Sequence, residues 1–157
     1  MKGHSMSAVN TFVDSTIKWF LIVAGLATST PLLFAIDINL FTPMLGGLVD
    51  YTPSSVPALR HWGIMVFGIG MLMVVAAFHE WLRFETMLFS TFEKAFMVYL
   101  VVSNLGEPWI KGYLVPFLVD SMIVAYSIVY FISDRGRPQQ WIATRKIESR
   151  EALLNLK

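Results

Sequence analysis

The chain has 157 residues, is 55% hydrophobic and 15% charged, and has a mean hydropathy of +0.60. A soluble domain carries nearer a quarter charged residues, so the deficit points to a bilayer as solvent. A net charge of +1 without a basic, aromatic-interleaved cluster excludes nucleic acid as a partner, and the lack of cysteine excludes disulfides, thiolate nucleophiles, zinc–thiolate sites and iron–sulfur clusters.

Four segments meet the length rule for a spanning helix, roughly 20 apolar residues at about 1.5 Å each. The first covers about 17–36, with Pro31 expected to kink it. Lys2, Lys18 and the small residue closing "LLFA" give it the look of a signal peptide, yet it reads as a retained span. The outer link, 37–60, carries three prolines and the Gly46–Gly47 pair, but "LFTPMLGGLV" is apolar. It is expected to lie in the interface or to fold over the outer mouth of the helices. The second span covers about 61–81 and the third about 86–105, joined on the inner side by "LRFE". The fourth covers about 112–133, after the outer link "GEPWIK". Short links force neighbouring helices antiparallel. The fold class is therefore an all-α integral membrane protein, a four-helix antiparallel bundle over residues 1–133. Residues 134–157 form a basic tail in which Pro138 stops the fourth span, and Ile142, Ile147, Leu153, Leu154 and Leu156 suggest a short amphipathic surface helix.

Four spans put both termini on one side. That side collects Lys2, Lys18, Arg83 and the basic residues of the tail, against Arg60 and Lys111 opposite, so both termini are expected in the cytoplasm of a bacterial inner-membrane protein. Trp19, Trp62, Trp81, Trp109 and Tyr113 fall near span ends, where amphipathic rings belong.

The second span carries Gly63, Gly70 and Ala77 at seven-residue spacing, which returns to nearly one face. Small residues there let helix backbones approach, so this is a packing stripe, with a cofactor slot against it as the alternative. His61 and His79 are spaced to share a face of the same helix, but lie about 27 Å apart along it. Each needs a second ligand opposite, and His4 is the remaining histidine. They read as interfacial residues. No metal or haem site is expected within one chain, although lipid, quinone or pigment held at a subunit interface stays open.

Soluble catalytic signatures are missing: there is no nucleophile elbow, phosphate-cradling loop or HExxH, and no catalytic residue is assigned. Chemistry concentrates instead in the third span. Glu93 shares a helical face with Thr86, Ser90, Met97, Leu100 and Asn104, and Lys94 flanks that stripe. Adjacent helical residues point about 100° apart, so the two charges are not expected to neutralise each other directly. Counting depth gives a partner. Lys94 lies ~12 Å in from one end of its span and Asp120 ~12 Å in from the opposite end of the fourth. In a core about 30 Å thick both sit within a turn of mid-depth, which predicts a Lys94–Asp120 ion pair. Glu93 then either accepts from Ser90 or Asn104 or carries a proton. Ionisable residues inside a membrane are costly enough to be functional by default; the alternative is a clamp fixing the register of two helices.

The run "LRHWGIMVFGIGMLMVVAAF", then Arg83, then "FEKAFMVYLV", then Asp120, resembles the small bacterial four-span proteins grouped as BphX-like and DoxX-like. The resemblance covers about residues 17–133 and leaves out the basic tail. It implies the four-span fold and, as signature positions, Trp62, Gly63, Arg83, Glu93, Lys94 and Asp120. The BphX-like group is functionally uncharacterised; some DoxX-like members are proposed as quinone-linked oxidoreductase subunits.

Two functions follow as expectations. One is a non-catalytic accessory subunit of a larger membrane complex, with lipids and other membrane subunits as partners. The other is a small binding or transport protein for a quinone-like lipophilic molecule, or for protons, at Glu93, Lys94 and Asp120. An enzyme built on the same residues is the third and weakest reading.

Overall fold

The computed structural model describes residues 2–45 and 51–133, so Gly46–Gly47 and the tail helix read into 134–157 lie outside the described residues. The described residues are helical, with no strand among them. Four helices are long and apolar enough to cross a membrane: Ser7–Ile36, Val56–Phe78, Glu80–Ser103 and Pro108–Ile132. Within their most apolar windows only 33%, 33%, 28% and 22% is buried, so most of each helix faces outward. That is affordable only where the surroundings are themselves apolar.

α1 (Lys2–Thr28) begins well before the expected start at residue 17. Its buried stripe explains why. Val13, Ile17, Leu21, Ala24 and Thr28 recur at helical spacing, so the inward face continues past Lys18 toward the N-terminus. Lys18 itself points away, its Nζ 5.0 Å from the Phe78 ring centroid. Pro31 acts as a break as well as a bend. Ser29 Oγ donates to Gly25 O at 2.8 Å and Thr30 Oγ1 to Ala27 O at 2.8 Å, taking over carbonyls the helix no longer serves. The chain restarts as α2 (Leu32–Ile36).

The link that follows is not bare loop. Asp37 is extended, and its side chain accepts from Asn39 N at 3.0 Å to cap α3 (Ile38–Phe41), which runs into a 3₁₀ turn, Thr42–Leu45. Phe34, Ile38 and Leu45 form a small buried cluster with Leu33, Tyr51, Val56 and Leu59. Arg60 donates to Ile36 O at 2.8 Å and ties this cap to the next helix.

α4 (Val56–Phe78) and α5 (Glu80–Ser103) are joined by His79 alone, in an extended conformation. The expected link "LRFE" is instead the first turn and a half of α5. Arg83 makes the tight elbow possible. Its Nε donates to Ala76 O at 3.2 Å, one terminal nitrogen to Ala77 O at 3.1 Å, and the other to Glu80 Oε1 at 3.2 Å. One guanidinium thus serves carbonyls orphaned at the end of α4, where a cation is also favoured by the helix dipole. A 3₁₀ turn, Pro108–Tyr113, leads into α6 (Leu114–Ile132).

α1 packs on α4, α4 on α5, α5 on α6, and α6 on α1. α4 meets α1 and the start of α2 at backbone-to-backbone range. A Cβ on Gly25 would stand 2.6 Å from Gly70 O, and one on Gly63 would stand 2.5 Å from Pro31 O. Gly63, Gly70 and Ala77 are all buried. The stripe packs against α1 and α2, and Gly25 is its counterpart. The main core, including Leu21, Met73, Ala77, Met87, Ile123 and Tyr130, fills the half of the molecule nearer the His79 elbow. The half beneath the cap is built differently.

Candidate functional site

Lys94 lies on the most buried face of α5, with Thr86, Met87, Ser90 and Val101. The inward stripe is therefore centred on Lys94, not on Glu93. The four-carbon stem of lysine packs as an apolar chain and carries its ammonium to the α5–α6 contact. There Nζ lies 3.3 Å from Asp120 Oδ1 on α6. It also lies 2.9 Å from Glu93 Oε2. Backbone directions alone would keep Glu93 and Lys94 apart, contrary to this pairing, but both side chains are long enough to fold back toward each other. The side chains are 5% exposed for Lys94, 8% for Asp120 and 25% for Glu93, so two carboxylates share one cation largely out of water. With both carboxylates ionised the triad carries one negative charge in excess.

The other residues expected with this cluster are placed elsewhere. Ser90 is fully buried, but its Oγ points to Met73 Sδ at 3.5 Å on α4. Asn104 caps the end of α5, its Nδ2 donating to Leu100 O at 2.8 Å. Neither donates to Glu93. Glu93 Oε2 is a buried atom with no aligned hydrogen bond, Lys94 being its nearest cation. His61 and His79 are both exposed, and His79 stands in the elbow outside the α4 helix, so the shared face expected of them does not exist. No group of three or more metal-ligating side chains occurs among the described residues.

Sequence reasoning missed what surrounds the triad. A cavity of about 110 Å³ opens beneath the cap, with Glu93, Lys94 and Asp120 in its wall. Its other walls are mainly apolar and come from every part of the fold: Pro31 after α1, Leu45 of the cap, Trp62 and Val66 of α4, Met97 of α5 and Val119 of α6. A second cavity of about 280 Å³ shares Trp62, Met97 and Tyr113 with the first and runs on to Leu100, Asn104 and Trp109. A void lined by residues distant in sequence leaves no periodic signal to find.

Thr28 also lines the first cavity. It is 3% exposed, and its Oγ1 has no hydrogen-bond partner. Thr86 Oγ1, 1% exposed and outside the cavity, shares that state, whereas most threonine hydroxyls among the described residues are bonded. Thr11, Thr16, Thr30, Thr42 and Thr91 all turn their hydroxyls back to a carbonyl three or four residues earlier. A buried hydroxyl left without a partner costs about 1–3 kcal/mol.

The site therefore offers an apolar chamber, aromatic at Trp62 and Tyr113, with two carboxylates, one ammonium and an unpaired hydroxyl in its lining. Concave, mainly apolar sites with a few convergent polar groups are the usual form of a small-molecule pocket. Searches against family models, curated proteins and solved structures find no match to this chain.

Proposed function

We propose that this is a multi-pass protein of the bacterial cytoplasmic membrane, an antiparallel four-span bundle with cytoplasmic termini. Its proposed role is to hold a small lipophilic molecule whose polar end meets Glu93, Lys94 and Asp120. One observation carries the reading: the buried ion triad lines a cavity whose remaining walls are mainly apolar and drawn from all four spans and the cap. A register clamp needs only the ion pair. It does not need a cavity beside the pair, nor an unpartnered threonine facing the same space. The charge distribution, with Arg60 and Lys111 at the capped end, supports that end as the outer one.

Native mass spectrometry of the protein released from lipid nanodiscs tests the reading. The wild type is expected to retain one small amphiphile per chain. Ala27→Phe, which projects a ring into the cavity, is expected to lose it without loss of fold. Identical retention by both proteins would sink the proposal.

An accessory subunit is the second reading. The exposed row Phe89, Phe92 and Phe96 on α5 fits a partner helix, but lipid demands the same surface, so we place it second. Stoichiometric co-purification of a foreign subunit from membranes would reverse that order. Membership of the BphX-like or DoxX-like groups, with a quinone as ligand, is likewise a proposal resting on the six positions quoted above.

A further inference from the structure

We propose that the chamber is an exchange site for one organic cation against one proton, its ligand being a small aromatic or alkyl ammonium. This deepens the ligand-binding reading above and rests on it. Glu93, Lys94 and Asp120 leave one negative charge in excess inside a space walled by Pro31, Val66, Met97 and Val119. An uncompensated charge in apolar surroundings is strongly disfavoured. A proton on a carboxyl compensates it, and so does a bound monocation. Anions are repelled, and neutral molecules leave the excess charge in place.

The acceptors point the same way. Thr28 Oγ1 is buried without a hydrogen-bond partner, and Glu93 Oε2 shares its one cation, Lys94 Nζ at 2.9 Å, with Asp120 Oδ1. A primary ammonium brings three N–H donors and no acceptor, which suits one unpaired hydroxyl oxygen and two carboxylates that share a single cation. A quinone carbonyl brings only acceptors and satisfies neither carboxylate. Trp62 and Tyr113, which face both cavities, supply ring faces that attract a cation and cover its apolar body. The ionisable groups lining the chamber are Glu93 and Lys94 from α5, Asp120 from α6, and Tyr113 from the turn before α6. α1 and α4 contribute only uncharged residues to it, Thr28 and Trp62 among them. Exchange is therefore a property of the triad. As the cation enters, the proton held by the two carboxylates leaves to solvent, and the site stays neutral in both states.

Calorimetry of the purified full-length protein tests this, using 2-phenylethylammonium and its neutral near-isostere 2-phenylethanol. Titrations run between about pH 5 and about pH 8, where the amine stays protonated, in buffers of differing ionisation heat. The amine is expected to bind about tenfold tighter than the alcohol or better, releasing close to one proton on the acid side of the range. There its Kd falls about tenfold per pH unit. Glu93→Gln is expected to bind both probes alike with no proton release, and Thr28→Val to weaken the amine while keeping proton release. Equal binding of both probes by the wild type, or amine binding with no proton release at any pH in the range, overturns cation exchange and leaves the ligand-binding reading standing. Binding of neither probe overturns this inference, and an unchanged lipid complement in Ala27→Phe then separately overturns the reading beneath it. The wild-type proton count decides the matter even if a variant fails to fold.

Discussion

Lys94 Nζ lies 3.3 Å from Asp120 Oδ1 across the α5–α6 contact, and the same ammonium lies 2.9 Å from Glu93 Oε2. Removing the cation strands two carboxylates where water is scarce. Lys94→Met is expected to cost about 3–5 kcal/mol, the usual penalty for orphaning a buried charge. Adding Asp120→Asn to it is expected to recover a substantial part of that loss. Thermal unfolding of the two singles and the double in one detergent gives the coupling. If the double loses the sum of the singles, the pair is not coupled.

The Gly25–Gly70 approach leaves no room for a side chain, whereas Gly68 on the same helix meets nothing within 4 Å. Gly70→Val is expected to lower stability by about 1–3 kcal/mol or more, because the obstacle is backbone rather than a movable side chain. Gly68→Ala is expected to stay within about 0.5 kcal/mol of the wild type. The contrast in Tm between these two substitutions measures the α1–α4 contact directly.

Arg83 reaches two carbonyls of α4 and one carboxylate of α5. Arg83→Met is expected to cost about 1–2 kcal/mol, as the loss of a helix cap does. Arg83→Lys is expected to rescue little, since a point charge cannot span the fork. Hydrogen exchange should quicken at residues 76–82 and leave the capped end unchanged. A uniform change along the chain would argue against a local cap.

Thr16 Oγ1 and Tyr126 Oη are 2.8 Å apart, and Phe20 stacks on the Tyr126 ring at 3.7 Å between centroids. Between helices in a membrane such a hydrogen bond averages about 0.6 kcal/mol. Tyr126→Phe, which keeps the stacking, is expected to cost about that much. Tyr126→Ala is expected to cost about 3–5 kcal/mol, because an aromatic contact in the core is lost as well. Similar values for the two would mean that packing contributes nothing there.

The proximity of Lys94 and Asp120 was legible in the sequence because depth in a bilayer is a one-dimensional coordinate. Two helices crossing the same slab must bring equal depths together, whatever their rotation. Rotation and reach were not legible. Treating Glu93 as the centre of the inward stripe ignored that a lysine stem buries well, and the long side chains closed a gap that backbone directions left open. The elbow was misplaced for a related reason. Arg83 and Glu85 look like a link by polarity, but Arg83 spends its charge on the end of α4, which lets the turn shrink to His79. The Gly63–Gly70–Ala77 stripe shows in spacing alone, while its partner Gly25, a single residue, does not. The chamber left no trace, since its lining is gathered from five separate segments.

That one-residue elbow also bears on how the chain enters a bilayer. α5 is the least apolar of the four crossing helices, with a mean hydropathy of 1.2 against 1.9 for each of the others. Alone it is a poor candidate for insertion, since it carries Glu93 and Lys94 at its middle. Joined to α4 through His79, with Arg83 already fastened to α4's last turn, it has no independent choice. The quantity that decides insertion is the partition free energy of the α4–α5 hairpin as one body. In that sum the apolar surplus of α4 is counted together with the charged pair of α5.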